Sequence, residues 1–515
     1  FCDILIKNGM IYDGSGEKPY LGSVAIKNEK ILYVGPLKNF DSKKIIDAEG
    51  KAISPGFINM LSWAYNSLLK DGRSISDIKQ GVTPEVFGEG TSPGPKGVRD
   101  SSSYISFGGA MEKLETNGVS TNIASFLGAT TVRIQEVGYD NRKATLDELN
   151  KMKELVRESM KEGAMGIGSS LIYAPADYAS TTELISLSKV ASEYNGMYIS
   201  HIRSEGSKVL EAIDELITIS REANIPAEIY HLKASREANW ELLDEMIDKI
   251  EKARSEGLNI TADMYTYNAS STGLTGVIPT WIQEGGHRAW INRMQEAGPR
   301  KRVIEDIKIE LKDQSPEGIL MVGFNKNSMA KKYMGMTIAE AAKKRNQTPE
   351  EAIVDLVIED DSRIQCIYFS MSEDNIRKKI KLPWMSFCSD AGSYSNPPDG
   401  FRTHPRAFGS FIRVLGKYSR DESLLSLEEG VRKLTGLPAK NLGLKYRGLL
   451  KEKYFADVVV FDPEKVKDNA TFNDPIQYAE GIEHVFVNGQ QVLKNGQHTG
   501  VLSGKFVKGP GFNKN

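Results

Sequence analysis

Three short apolar runs follow one another along the chain, and each ends on a residue able to do chemistry. They are Tyr198-Ile-Ser-His-Ile-Arg, Ile229-Tyr-His-Leu-Lys and Ile260-Thr-Ala-Asp-Met-Tyr. Their polar ends are His201, His231 and Asp263. The intervals are about 30 residues, the length of one strand–helix–strand unit. In a parallel α/β barrel the C-terminal ends of the strands converge on one face, where active sites sit. The spacing therefore predicts three consecutive barrel strands aiming two histidines and a carboxylate at one pocket.

The remainder of the chain fits that frame. With 515 residues it is long enough for a large barrel plus an accessory domain. Further strand candidates lie at residues 52–59, 83–89, 122–127, 164–169, 366–370 and 385–390. That makes nine candidates for eight barrel places, so one is misread or lies outside the barrel. Helical patterns separate them. Ser180 with Glu183 forms a capping box ahead of Leu184, Leu187 and Ala191, and Gly196 closes that helix. Alternation of this length predicts an α/β fold, a (β/α)8 TIM-type barrel over residues 55–435. Both chain ends carry short β-branched runs bounded by Asn, Gly and Asp. Residues 1–54 and 436–515 are expected to form two halves of one small β-sandwich. Residues 285–344, with Trp290, Pro299 and a charged helical run, break the alternation. They are expected to be an insertion folded over the barrel mouth; the alternative is a peripheral excursion.

Charge and hydropathy narrow the function classes. A net charge of -2 gives no general attraction to nucleic acid or anionic membrane. No apolar run reaches the roughly 18–20 residues that a transmembrane helix needs. The expected partner is a small molecule; nothing speaks to the oligomeric state. No signal segment is present, but the chain starts at Phe1 rather than Met. An export signal upstream is compatible with that start, which leaves cytoplasm and periplasm both open. Cys2, Cys366 and Cys388 are read as buried small hydrophobes rather than a disulfide framework.

Two of only six histidines fall at matching places in successive strand units. Neutral imidazole is a good Zn²⁺ ligand, and a catalytic zinc takes about three protein ligands plus an open position. The competing reading is a pair of hydrogen-bonded core histidines. Glu89, in Val86-Phe-Gly-Glu-Gly-Thr-Ser, ends another strand at a Gly-rich loop. It either completes a His/His/Glu metal site or binds loop amides. Asp390 ends the last strand and is a candidate proton acceptor from water and donor to a leaving nitrogen. The alternative is a turn cap. Lys233 and Arg406 are candidate grips for a substrate carboxylate, and otherwise are surface charges. Tyr173, Tyr265 and Tyr267 are candidate hydroxyl donors, and otherwise aromatic packing.

Taken together, these motifs resemble the amidohydrolase superfamily, and within it the N-acyl-D-amino-acid deacylases, over nearly the whole chain. The resemblance rests on Pro55-Gly-Phe-Ile, Gln80-Gly-Val-Thr, Gly168-Ser-Ser-Leu-Ile-Tyr-Ala-Pro, Ser200-His-Ile-Arg-Ser-Glu and His231-Leu-Lys. It continues in Asp263-Met-Tyr-Thr-Tyr, Met371-Ser-Glu-Asp, Ser389-Asp, His404-Pro-Arg-Ala-Phe-Gly-Ser-Phe and Ala456-Asp-Val-Val-Val-Phe-Asp-Pro. It implies zinc-dependent removal of an N-acyl group from a D-amino acid. His201 and His231 match the family's metal histidines and Asp390 its catalytic aspartate. Lys233, Arg406 and a tyrosine of the Asp263-Met-Tyr-Thr-Tyr run match groups that hold the substrate carboxylate, and Tyr173 matches a pocket tyrosine.

Two departures stand out. Where the family usually has His-x-His after the first barrel strand, this chain has Leu61 and Trp63. Neither binds zinc, so one zinc per chain is expected. The family's usual metal-binding Cys after the second strand is also missing, with Glu89 adjacent to its place. Trp63 either lines the acyl pocket or plugs the space of the missing histidines. The alternative functions are another hydrolase or lyase on the same scaffold, acting on a small carboxylate-bearing amide, and a degenerate member that binds without turnover.

Overall fold

The computed structural model describes residues 1–99 and 101–512. Both chain ends enter one nine-stranded sheet, with Cys2–Ile11, Tyr20–Lys27, Lys30–Pro36, Ser42–Asp47 and Ala52–Pro55 from the front and Val458–Phe461, Ile482–Val487, Gln490–Lys494 and Gln497–His498 from the back. The halves join where Ala52–Pro55 runs antiparallel to Val458–Phe461. Gly56 marks the passage into the barrel. A Cβ there would lie 1.9 Å from the Thr83 hydroxyl oxygen, so only glycine lets the two strands approach this closely.

The barrel strands are buried along their whole length, as expected of parallel strands covered by helices on one side and filled on the other. Phe57–Asn59 pairs with Val82–Phe87, and that strand with Asn122–Ser125. Asn122–Ser125 and Leu127–Gly128 are one strand interrupted at Phe126. The run continues in parallel through Gly166–Ser170, Met197–His201, Ala227–Ile229, Ile260–Met264 and Met385–Phe387. Backbone bonds from Met60 N–H to the Phe387 carbonyl (3.3 Å) and from Asp390 N–H to the Leu61 carbonyl (2.9 Å) bring the last strand onto the first.

Of the nine strand candidates, residues 366–370 are the surplus one. Gln365–Tyr368 is the middle strand of a separate antiparallel sheet with Ser270–Gly273 and Ile319–Gly323. Its three consecutive buried residues, Cys366, Ile367 and Tyr368, resemble a barrel strand because they too are covered on both faces. That sheet belongs to the excursion after the seventh barrel strand, which reaches beyond residues 285–344 on both sides. The excursion has its own apolar core, including Leu274, Trp290, Ile307, Tyr333, Leu356 and Tyr368. No helix among the described residues is long and apolar enough to cross a membrane.

Buried carboxyls sit where the strand Val82–Phe87 meets the short helix Ile75–Ile78. Glu85 accepts from Ser62 Oγ (2.7 Å) and Thr121 Oγ1 (2.8 Å), while Asp77 accepts from Asn59 Nδ2 (3.1 Å). Burial, and then the neighbouring Asp77 carboxyl, push Glu85 up to about 8. In the unfolded chain a glutamate ionises at about 4.3. A carboxyl raised on folding gives stability that is complete below the unfolded value and is lost as pH rises through the folded one. Glu85→Gln removes that dependence. Chemical denaturation of both chains at pH 5 and pH 8 should show the wild type losing stability relative to the variant by a few kcal/mol. Each tenfold difference in proton affinity between the folded and unfolded chain is worth about 1.4 kcal/mol. A pH-independent difference would show that Glu85 is ionised in the fold.

Candidate active site

Glu89, His201, His231 and Asp390 gather at the C-terminal mouth of the barrel, each just at or beyond the end of a strand. Glu89 follows Val82–Phe87 through Gly88 (φ +111°). His201 is the last residue of Met197–His201. His231 lies two residues past Ala227–Ile229 at φ +35°, and Asp390 three past Met385–Phe387 at φ +48°. Both turn out of the strand line in the left-handed region, which non-glycine residues seldom occupy. The His231 N–H is held by Asp263 Oδ1 at 2.7 Å, so Asp263 supports the turn from below.

Glu89 Oε1 lies 2.9 Å from His201 Nδ1 and 3.0 Å from His231 Nε2. One ligand atom from each of these three buried side chains falls within 4.8 Å of the others. His201 Nε2 is buried without a hydrogen-bond partner among the described residues. Two imidazoles and a carboxylate converging in this way fit the N/O donor set of a catalytic divalent metal with three protein ligands. Burial pushes the Glu89 carboxyl up, but the bonds from His201 and His231 outweigh it and hold the group well below the usual carboxylate range. Burial and Lys233 push His231 down, whereas Asp390 and Glu205 push it up, leaving it at about 10.

Asp390 Oδ2 stands 4.0 Å from His231 Nε2 and 2.7 Å from Arg406 Nη1. Arg406 opens the helix Arg406–Arg413, and its guanidinium lies 4.5 Å from the centre of the Tyr265 ring. Its Nη2 donates to the Ser271 carbonyl at 3.3 Å, while its buried Nε has no partner among the described residues. His404 sets that helix start. Its Nε2–H donates to the Ala269 carbonyl (2.8 Å) and its Nδ1 accepts from the Arg406 N–H (3.0 Å).

These groups open on a cavity of about 1040 Å³. Glu89, His201, His231, Lys233, Asp390, Arg406, Tyr173 and Tyr265 all line it. The Tyr173 hydroxyl donates to Thr272 Oγ1 (2.9 Å), so the barrel mouth meets the inserted sheet there. Tyr267, the remaining predicted tyrosine, is not among the residues that line it. Its ring packs edge-on against His404 and Phe472, and its hydroxyl is 3.5 Å from Asp468. Beyond Met264 the chain has left the strand, so a two-residue step no longer returns a side chain to the same face.

Two residues were not assigned these partners from sequence. Glu205 accepts from Lys233 Nζ at 2.5 Å and lies 3.0 Å from His231 Nδ1. Its only sequence signal is an acid four residues after a strand-end histidine. Trp63 donates its indole N–H toward Glu89 Oε2 and Asp390 Oδ1, both at 3.1 Å.

The model of the amidohydrolase family matches residues 117–493. The chain belongs to the amidohydrolase family. It is 30% identical over 522 residues to a D-aminoacylase of Alcaligenes xylosoxydans xylosoxydans, covering 98% of this chain and 97% of that one. Among solved structures it is similar to a D-aminoacylase whose binuclear metal centre shows one-metal activation and second-metal attenuation (TM-score 0.84, 30% identity, 99% of this chain and 100% of that one). It is also similar to an N-acyl-D-glutamate deacylase of Bordetella bronchiseptica solved with zinc and a phosphonate mimic of the tetrahedral intermediate (TM-score 0.81, 26% identity, 98% and 99%).

In this amidohydrolase the side chains of Lys233 and Glu205 are 3% and 13% exposed. Removing one partner of such a pair leaves a buried charge uncompensated, at a cost of about 3–5 kcal/mol. Glu205→Gln should therefore destabilise the protein by about that much, and Lys233→Met on top of it should restore part of the loss. A denaturation double-mutant cycle measures the coupling; additive losses would show that the pair contributes none.

Proposed function

We propose that this amidohydrolase removes the acyl group from N-acyl-D-amino acids, with one zinc ion held by Glu89, His201 and His231 and with Asp390 as the proton-transferring residue. The observation that carries the reading is the convergence of these three ligand atoms within 4.8 Å, with Asp390 4.0 Å from His231. A zinc ion bound there supplies a Lewis acid that polarises the amide carbonyl and lowers the pKa of water toward 7.

The chain's own groups account for the remaining steps. Asp390, held by Arg406 at 2.7 Å, takes the proton from the attacking water. It then delivers that proton to the amide nitrogen as the water oxygen's bond to the carbonyl carbon replaces the C–N bond, and the water's second proton passes from the new carboxyl to the released amine, giving a carboxylate and an ammonium. The partnerless Arg406 Nε and the cavity-lining Lys233 are cations suited to the substrate's α-carboxylate. Holding that carboxylate orients the scissile amide against the base, which is where positioning contributes to rate. Tyr173 and Tyr265 shape the walls on either side. The preference for D-substrates is supported by the relatives' names.

A panel of N-acyl-D- and N-acyl-L-amino acids, assayed with and without chelator, tests the assignment. Hydrolysis should be confined to D-substrates, stop on chelation and return with zinc. Turnover of L-substrates alone would overturn the substrate class while sparing the metal site. Asp390→Asn should lower kcat about 10²–10⁴-fold, the usual weight of a general acid–base group, while zinc remains bound. His231→Ala should lose zinc and activity together, and full activity in metal-free protein would refute the mechanism.

A further inference from the structure

The proton transfer described above uses Asp390, and the ion site uses Glu89, but a third residue lies between them. Trp63 Nε1 is 3.1 Å from Glu89 Oε2 and 3.1 Å from Asp390 Oδ1. An indole has a single N–H and no acceptor, so one donor is shared by two carboxylate oxygens. Glu89 and Asp390 are 4% and 9% exposed. Two carboxylates turned toward one point in such a site repel each other unless positive charge or a donor stands between them. Their other oxygens are already engaged, Glu89 Oε1 by the two imidazoles and Asp390 Oδ2 by Arg406. The place where a cation would bridge the pair is the place the indole nitrogen occupies.

The ring is fixed there by the barrel itself. Trp63 N–H donates to the Ala391 carbonyl (2.9 Å) and Asp390 N–H to the Leu61 carbonyl (2.9 Å), so the two residues are neighbours across the seam between the first and last strands. Trp63 is 47% exposed and lines the cavity.

We propose that Trp63 is a positioning residue that orients Asp390 and Glu89 through one shared N–H and closes the space between them to a second cation. The site of this chain then takes one metal ion and no more, and excess metal does not attenuate it. This rests on the reading of Glu89, His201 and His231 as metal ligands.

The test compares the wild type with Trp63→Phe, which keeps a ring and removes the donor. Each is equilibrated with increasing zinc, freed of unbound ion by gel filtration, and assayed for zinc per chain and for kcat and KM. The wild type should stop at one ion, with activity flat across the excess. Trp63→Phe should take a second ion and lose kcat about 10–100-fold, the usual effect of removing a group that orients a metal ligand, with KM changed less than about threefold. A second ion in the wild type overturns the proposal without any variant, even if Trp63→Phe fails to fold. So does a Trp63→Phe chain that keeps wild-type kcat, or one that still stops at a single ion. A wild type that binds no zinc overturns instead the reading of the metal site, and this proposal with it.

Discussion

The burial of one carboxylate organises the mouth of this barrel. A carboxylate moved away from water costs several kcal/mol unless charged or polar partners replace the water. Glu89 finds those partners on three other strands: Trp63 after the first, His201 on the fifth and His231 after the sixth. No local segment supplies them, so the charge can be buried only once the barrel has closed. The same closure brings Asp390 beside Trp63, because the bonds from Asp390 N–H to Leu61 and from Trp63 N–H to Ala391 belong to the seam. Assembly of the fold and assembly of the site are in this sense one event.

The parts of the site that repeat with the fold were legible in the sequence. His201 and His231 stand at the ends of consecutive strand units, so their spacing alone places them on one face. Glu89 and Asp390 were legible as strand-end carboxylates, although their partners were not. What spacing does not carry is direction once the strand has ended. Tyr265 and Tyr267 sit two apart like residues of one strand face, yet only Tyr265 reaches the cavity. Glu205 and the Trp63 N–H were hidden for a related reason. Each acts through a bond to a residue far away in the chain, and neither has a local pattern that differs from an ordinary loop acid or an ordinary aromatic. The surplus strand at Gln365–Tyr368 misled for the opposite reason, since burial on both faces gives the same composition in any sheet.

The cavity is built by two units with separate apolar cores. The barrel mouth supplies every ionisable group proposed for the chemistry. The excursion supplies the facing wall, including Ser271, Thr272, Gln365 and Tyr368. Polar bonds join the two at several points, among them Tyr173 to Thr272, Tyr178 to the Thr280 carbonyl, Arg236 to Glu310 and Arg406 to the Ser271 carbonyl. Because the excursion packs on its own core, substitutions on its cavity face can alter what the pocket admits without disturbing the strands that hold Glu89, His201 and His231. The two walls of the cavity thus rest on separate apolar cores.

Two of the groups assigned to chemistry are held in unfavourable backbone conformations, His231 at φ +35° and Asp390 at φ +48°. Such residues cost about 1–3 kcal/mol each and persist only where the surroundings over-determine them. Here the restraints can be named. His231 N–H is fixed by Asp263 Oδ1 from the next strand, and Asp390 N–H by the Leu61 carbonyl across the seam. In both cases a bond to the backbone sets the angle at which the side chain leaves the strand. The strand would otherwise direct that side chain along its own pleat, into the barrel or out toward the helices. A left-handed turn at its end lifts the imidazole and the carboxylate over the mouth instead, where both can face the same substrate atoms. The strain is the means by which a regular barrel presents groups from different strands to one point, and the rigid strands beneath are what make it tolerable.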